Sequence, residues 1–202
     1  MAKQKSKSET GRLADFCYEA GMLAKTPRSY FQFLGSGEQN VAAHMHRVTM
    51  IAYALASSQK DIDILKVLKM CLFHDFAEAR TSDLNYVHQK YCEASEGAAI
   101  ADFTRGLPFG DDLKSVLAEY NAKKTKESLL AKDADQMEFI MGVKEQIDSG
   151  NPKGKSWIVP AIKRLKPPAA KKLIREILST PSDRWWFENK KDEWWVNRNG
   201  KK

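Results

Sequence analysis

The segment DIDILKVLKMCLFHDFAEARTSDL, residues 61–84, joins a run of apolar residues to a cluster of histidine and acidic side chains. Its apolar residues recur at steps of three and four, which is the period of one face of an α-helix. Asp61 precedes the run and is suited to cap the helix N-terminus. The predicted inner face consists of Ile64, Leu65, Leu68, Cys71 and Leu72. Asp75 falls on the same face, so the pattern predicts a helix that carries a carboxylate towards the protein core.

The same helical period appears in most of the chain, and no segment shows the alternation of a β-strand. Further apolar faces are formed by Val41, His44, Val48, Ile51 and Leu55; by Leu113, Val116 and Leu117; by Leu129, Leu130, Ala134, Met137 and Met141; and by Leu173, Ile174, Ile177 and Leu178. The third of these helices is expected to end near Ser149–Gly150. The fourth is expected to begin at Pro167–Pro168, because proline is tolerated in a first helical turn. The sequence therefore predicts an all-α fold.

The composition indicates one compact domain with a tail. The chain has 202 residues, of which 43% are hydrophobic, and this suffices for a single core. We expect a helical bundle over residues 10–180, with a disordered N-terminus over residues 1–9. A basic C-terminal tail over residues 181–202 contains four of the five tryptophans. Its lack of periodicity leaves open whether it packs on the bundle or on another subunit.

The cysteines and the apolar segments bear on the location of the protein. The chain has three cysteines, Cys17, Cys71 and Cys92, which are far apart in sequence. Their odd number and their spacing match neither a disulfide framework nor a zinc knuckle. The N-terminal MAKQKSKSET lacks the apolar segment of a signal peptide. No apolar run approaches the roughly 20 residues of a membrane helix. We therefore expect a soluble protein in the reducing environment of the cytoplasm.

The net charge of +7 suits either a nucleic acid or a small anionic substrate as partner. Part of the positive charge is concentrated in Lys163, Arg164, Lys166, Lys171, Lys172 and Arg175. No recognisable nucleic-acid-binding motif accompanies this charge. We therefore expect neither a nucleic-acid nor a membrane partner.

Two polar residues, His44 and Asp75, lie on helix faces that should point into the core. An unpaired buried carboxylate is very costly, so such a group is normally hydrogen-bonded, ion-paired or bound to a metal. His74 is adjacent to Asp75, and Glu78 follows one helical turn later on the same face. The sequence therefore predicts a cluster of imidazole and carboxylate groups inside the bundle.

Other acidic residues extend this cluster. Asp83 follows the predicted helix, and Asp133 and Asp135 lie within a later apolar helix. Imidazole and carboxylate ligands together suit a divalent ion such as Mn, Co, Zn or Fe. Such an ion would offset the buried negative charge and lower the pKa of a bound water. Taken singly, each residue is also compatible with an ordinary core histidine or a solvated helix position.

The pattern of His44, the His74–Asp75 doublet and Asp135 resembles the H…HD…D signature of the HD-domain phosphohydrolases, a family of all-helical metal enzymes. Four segments resemble the 5′-deoxynucleotidase branch in the same order: KTPRSYF (25–31), QNVAAHMHRV (39–48), LFHDFAEARTSDL (72–84) and EYNAKKTKESLLAKDADQME (119–138). The similarity runs from about residue 10 to residue 145. The doublet alone is a weak signal, whereas four segments in order form a specific one. The resemblance implies an HD-domain helical bundle.

The resemblance also implies the metal ligands. One divalent ion, which could be Co, Mn, Zn, Fe, Ni or Mg, would be bound by His44, His74, Asp75 and Asp135. Asp133 would be a neighbour of this site and not a ligand.

Three further residues match functional positions of the branch. Glu78 matches the catalytic glutamate, which is expected to activate water or protonate the leaving oxygen. Asp83 matches the aspartate that assists it. Arg28 matches an arginine that contacts the substrate, in keeping with the fit between guanidinium and phosphate. The implied reaction is hydrolysis of a deoxynucleoside 5′-monophosphate, and relatives in this branch suggest a homodimer.

The sequence departs from the branch at Ala43, where an acidic residue usually precedes the first histidine. This departure leaves room for a changed specificity or for a protein that only binds metal or nucleotide. Hydrolysis of nucleoside triphosphates is a further alternative. Cyclic-dinucleotide hydrolysis would need histidines for a second metal, but only His46 and His88 remain. His46 faces away from His44, and we expect both remaining histidines at the surface.

Overall fold

The computed structural model describes residues 8–195, which form helices connected by turns and short loops. The α-helices are α1 (Glu9–Ala20), α2 (Phe31–Leu34), α3 (Val41–Ser57), α4 (Ile64–Phe73), α5 (Glu78–Thr81), α6 (His88–Tyr91), α7 (Glu96–Thr104), α8 (Gly110–Ala122), α9 (Lys126–Asp148), α10 (Lys155–Ile162), α11 (Pro168–Ser179) and α12 (Arg184–Phe187). Short 3₁₀-helices occupy Gly21–Lys25, Pro152–Gly154 and Glu193–Trp195. Within residues 8–195 there is no strand beyond one isolated bridge between Pro27 and Asn40, so the all-α prediction is confirmed.

The long helix α9 lies at the centre of the bundle and packs against α3, α4, α8, α10 and α11. Ala131 and Ala134 on its buried face let neighbouring helices approach closely. Leu130, Met137 and Ile140 fill the space between them, and all three are at most 1% exposed. Helix α9 therefore has a fixed position against α3 and α4, the other two helices that lead to the predicted cluster.

The ends of α9 and α11 agree with the sequence. The first turn of α9 is closed by reciprocal hydrogen bonds between Thr125 and Ser128. The helix ends at Asp148, one residue before the predicted Ser149–Gly150 stop. Helix α11 begins at Pro168, as predicted.

The prediction for α4 was wrong at its start and for part of its inner face, although Cys71 is buried as predicted and Ile64 packs against the core. Asp63, and not Asp61, caps the helix, because its carboxylate accepts the Lys66 backbone N–H at 3.0 Å. Asp61 instead adopts a left-handed backbone with φ 59°. The buried side chains are Val67, Met70 and Cys71, whereas Leu65 and Leu72 are 65% and 46% exposed. Apolar residues surround most of this helix, so their spacing alone did not determine which side is buried.

A group of aromatic rings fixes the turn that follows α4. The helix ends at Phe73, and residues 74–77 form a turn before α5. Phe76 is 2% exposed and packs on Phe16 and Phe103, with ring centroids 5.0 and 4.7 Å apart. Its burial holds the turn against the bundle. The predicted continuous helix through Glu78 is therefore interrupted directly after the apolar run.

The two end segments predicted from the sequence are described only in part. Most of the 1–9 segment that was predicted to be disordered lies outside the described residues, but Ser8 caps α1 and Glu9 begins it. At the other end, the Ser182 N–H donates to Asp148 Oδ2 at 3.0 Å, which attaches the start of the predicted tail to α9. Trp185 beyond it is 86% exposed. Residues 196–202 of the tail lie outside the described part of the chain.

Among residues 8–195, no helix combines the length and the hydrophobicity that a membrane span requires.

The correction in α4 leads to a stability prediction. Leu130→Ala should lower the free energy of unfolding by about 2–5 kcal/mol, because it removes a fully buried side chain and leaves a cavity. Leu65→Ala, the same change on the exposed side of α4, should stay within about 0.5 kcal/mol of the original protein. Urea unfolding of both variants measures the difference. A loss for Leu65→Ala as large as that for Leu130→Ala would show that Leu65 is buried and that the assigned inner face of α4 is wrong.

Candidate metal centre and active site

Four side chains from three parts of the fold converge on one point. His44 comes from α3, His74 and Asp75 from the turn after α4, and Asp135 from α9. The Nε2 atoms of His44 and His74 lie 3.4 and 3.2 Å from Asp75 Oδ2. The same nitrogens lie 3.4 and 3.8 Å from Asp135 Oδ1. The two imidazole nitrogens therefore face the two carboxylate oxygens at separations of 3.2–3.8 Å.

The other nitrogen of each ring already has a partner. The Nδ1 atom of His74 lies 3.0 Å from the Cys71 carbonyl, which can only accept, so Nδ1 carries a proton. The Nδ1 atom of His44 lies 2.6 Å from Glu138 Oε2. Both Nε2 atoms are buried without a hydrogen-bond partner in the described residues. This arrangement fits a metal ion, which needs free imidazole lone pairs.

The protonation states also suit a cation. Burial opposes ionisation of Asp75 and Asp135, but the neighbouring His74 and His44 hold the pKa of both carboxyl groups below the usual range. Burial lowers the pKa of His44, but the nearby carboxylates of Asp135, Asp75 and Glu138 raise it well above its ordinary value. A divalent cation that binds His44 Nε2 would have to displace the proton that this nitrogen carries in the protonated imidazole.

One oxygen of Asp135 is held away from the two rings. Its Oδ2 atom accepts from Tyr120 Oη and from Lys132 Nζ, each at 3.2 Å. Lys132 also lies 4.4 Å from the centroid of the Tyr120 ring. These contacts leave Oδ1 directed at the histidines, as a single ligand oxygen would be.

Arg28 borders the cluster on the side of Asp75. Its Nη1 lies 3.3 Å from Asp75 Oδ2 and 3.1 Å from Asp83 Oδ2. Asp83 also accepts from the backbone N–H of Ser29 at 3.1 Å and from its hydroxyl at 3.0 Å. Asp83 therefore fixes the loop that carries Arg28, and the guanidinium remains beside the cluster.

Glu78 is positioned to hold a proton. The turn places it close to the doublet, since its backbone N–H donates to the Asp75 carbonyl at 3.0 Å. Its Oε2 is buried without a hydrogen-bond partner among the described residues. Burial, together with the charges of Asp75 and Asp83, raises the pKa of Glu78 to about 9. At neutral pH this carboxyl group can act as a proton donor.

A cavity of about 670 Å³ borders part of this site. Its lining includes His74, Asp75, Glu78, Lys132 and residues of α6. This volume lies within the usual range for small-molecule sites.

The structure brings all seven predicted site residues into one region: Arg28, His44, His74, Asp75, Glu78, Asp83 and Asp135. Asp133 points elsewhere and accepts the Lys166 backbone N–H at 2.9 Å. His46 and His88 are exposed, and Ala43 is exposed on the outer side of α3.

Three residues of the site were missed from the sequence: Tyr120, Lys132 and Glu138. Glu138 is fully buried on an apolar face of α9, which is the same signal that singled out Asp75. Burial opposes its ionisation, but contacts with His44 and Arg47 lower the pKa of Glu138 to about 2. Tyr120 and Lys132 carry no comparable signal, because such residues are common at helix surfaces.

The HD domain family model matches residues 20–177. The chain belongs to the HD domain family. The match includes α10 and nearly all of α11, whereas the similar segments in the sequence reached only about residue 145. HD-domain phosphohydrolases depend on a divalent metal, and the described residues of this HD domain contain a His44–His74–Asp75 cluster that could hold one.

Relatives of this HD domain are named 5′-deoxynucleotidases. The 5′-deoxynucleotidase HDDC2 of Dictyostelium discoideum is 32% identical over 115 residues, which cover 51% of this chain and 60% of that protein. The 5′-deoxynucleotidase hdd1 of Schizosaccharomyces pombe is 25% identical over 81% of this chain and 87% of that protein. A solved structure of a conserved hypothetical protein from Pyrococcus furiosus is 29% identical and has a TM-score of 0.73, covering 83% of this chain and 99% of its own.

Proposed function

We propose that this HD domain is a metal-dependent 5′-deoxynucleotidase that hydrolyses deoxynucleoside 5′-monophosphates to deoxynucleosides and phosphate. The observation that carries the proposal is the convergence of two imidazole nitrogens that lack a hydrogen-bond partner in the described residues with carboxylate oxygens of Asp75 and Asp135, beside a cavity that His74 and Asp75 line. The names of the relatives support the choice of substrate.

The proposed ligands are His44, His74, Asp75 and Asp135. Two imidazoles with two carboxylates suit borderline divalent ions, so we propose Mn, Co, Fe or Zn in preference to Mg. Such an ion would neutralise the cluster and favour ionisation of water there.

The other groups of the site are proposed to bind the phosphate and to supply a proton. Arg28 and Lys132 border the cluster at Asp75 and at Asp135, and both can contact a dianionic phosphate. Water attacks phosphorus, the bond to the 5′ oxygen breaks, and that oxygen needs a proton. Glu78 is proposed to supply this proton. Asp83 is proposed to keep Arg28 in place and, through its negative charge, to favour the protonated form of Glu78. The homodimer and the cytoplasmic location stay predictions.

Phosphate release tests the proposed reaction. The purified protein with Co²⁺ or Mn²⁺ should release phosphate from at least one of dAMP, dCMP, dGMP and dTMP. Asp75→Ala should lose at least about 100-fold in rate, because it removes both a ligand and the partner of Arg28. His46→Ala, an exposed histidine next to the same region, is the control and should retain the rate. Absence of phosphate release for all common nucleotides and metals would refute the proposal, and a pyrophosphate or triphosphate product would assign a different substrate.

Two aspartates in α9 allow a matched test of the metal ligands. Asp135→Asn should lower the bound metal measured by elemental analysis after dialysis, because it weakens an oxygen ligand of the cluster. Asp133→Asn should keep the metal, since Asp133 contacts the backbone N–H of Lys166 and not the histidines. Equal metal content in the two variants would contradict the proposed ligand set.

A further inference from the structure

Glu138 is a buried carboxylate whose two oxygens have different partners. Its side chain is 0% exposed. Oε1 accepts from Arg47 Nη2 at 2.7 Å, Arg47 Nε at 3.0 Å and Gln39 Nε2 at 2.6 Å. Within residues 8–195, the one polar partner of Oε2 is the Nδ1 of His44, at 2.6 Å. Oε1 therefore accepts the hydrogen bonds from Arg47 and Gln39, and Oε2 is left to contact the imidazole ring of His44.

The position is a costly one for an acidic residue. Removing a carboxylate from water costs several kcal/mol, and a buried ion pair is often no more stable than an apolar pair of the same shape. The chain nevertheless pairs this buried carboxylate with a cation, since Arg47 Nη2 lies 2.7 Å from Oε1. Packing alone does not account for a charge at Glu138.

The geometry connects Glu138 to the cluster through the ring of His44. Nδ1 and Nε2 lie on opposite sides of the imidazole, and Nε2 lies 3.4 Å from both Asp75 and Asp135. An acceptor at Nδ1 keeps the proton on that nitrogen and leaves the Nε2 lone pair for a metal. His74 obtains the same orientation from the Cys71 carbonyl, which carries no full charge.

We propose that Glu138, held by Arg47, is a positioning residue that fixes the His44 ring with Nδ1 protonated and Nε2 directed at the metal, and makes His44 the stronger donor of the two histidines. This inference rests on the metal site proposed above. Carboxylates that hold a ligand histidine in this way typically account for about 10–100-fold in metal affinity or activity.

Zinc affinity of the whole protein tests this role. The metal-free chain is titrated with Zn²⁺ in competition with a chromophoric chelator. Glu138→Gln should weaken binding by about 10–100-fold, because the amide cannot both accept from Arg47 and offer a charged acceptor to His44. Glu145→Gln is the matched control: it removes the other carboxylate on Arg47, 2.6 Å from Nη1, without touching His44. It should bind zinc as the original chain does.

The ring nitrogens supply a readout that a purely structural role would not change. In the zinc-loaded protein with ¹⁵N-labelled histidine, His44 should coordinate through Nε2 and carry a strongly downfield-shifted proton on Nδ1. Glu138→Gln should move or abolish that signal, whereas the Nδ1 signal of His74 should stay as an internal reference.

The outcomes separate the two proposals. If the original chain binds none of Zn²⁺, Mn²⁺ and Co²⁺, the metal site fails and this inference fails with it. If the original chain binds zinc and Glu138→Gln matches it in affinity and in the His44 signal, only the role of Glu138 is refuted. If Glu138→Gln does not fold, the unsubstituted protein still decides, because coordination of His44 through Nδ1 would overturn the inference.

Discussion

Three carboxyl groups surround the ring of His44 inside this helical bundle: those of Asp75, Asp135 and Glu138. Each loses hydration on burial, and charges of one sign repel at these separations. Each also has one cation beside it, and these are Arg28, Lys132 and Arg47 respectively. Arg28 also pairs with Asp83, and Arg47 also pairs with Glu145, so five carboxyl groups share three cations. A divalent ion between the two Nε2 atoms and the facing oxygens of Asp75 and Asp135 would offset the two negative charges that remain. The stability of the core and the chemistry of the site therefore depend on the same groups.

The packing of α3 and α9 determines how His44 is held. Asp135 and Glu138 are three residues apart on α9 and therefore occupy neighbouring positions on one helix face. One directs Oδ1 towards Nε2 of the ring, and the other directs Oε2 towards Nδ1. A single helix thus contacts both nitrogens of a histidine on another helix. A small rotation of α9 would disturb both contacts together, so the small buried residues that bring α3 and α9 close also set the geometry of the site.

The helical period predicted the helices and singled out His44 and Asp75, whereas Asp135 was preferred over Asp133 only through the resemblance to the HD-domain phosphohydrolases. Polar residues on apolar faces, such as His44 and Asp75, are visible in the helical period itself. Part of the inner face of α4 was predicted incorrectly, since Leu65 and Val67 are both apolar and only packing distinguishes them. The interruption after Phe73 was missed because it depends on Phe76 finding a pocket among rings distant in sequence. The contacts of Lys132 with Asp135 likewise depend on rotamers, which spacing does not specify.

Ala43 departs from the resembling branch, yet its place in α3 limits what the departure can change. Asn40 is the N-cap, and its side chain accepts the Ala43 N–H at 2.8 Å, so Ala43 is the third residue of the helix. This is the position where an acidic side chain usually completes a capping box and interacts with the helix dipole, a contribution of about 0.3–1 kcal/mol. Ala43 is also exposed and lies about 100° around the helix from His44, outside the cluster. An acidic residue here would therefore stabilise the start of α3 more directly than it would affect the metal. In this chain the Asn40 side chain caps the Ala43 N–H, and the residues proposed as metal ligands are all present.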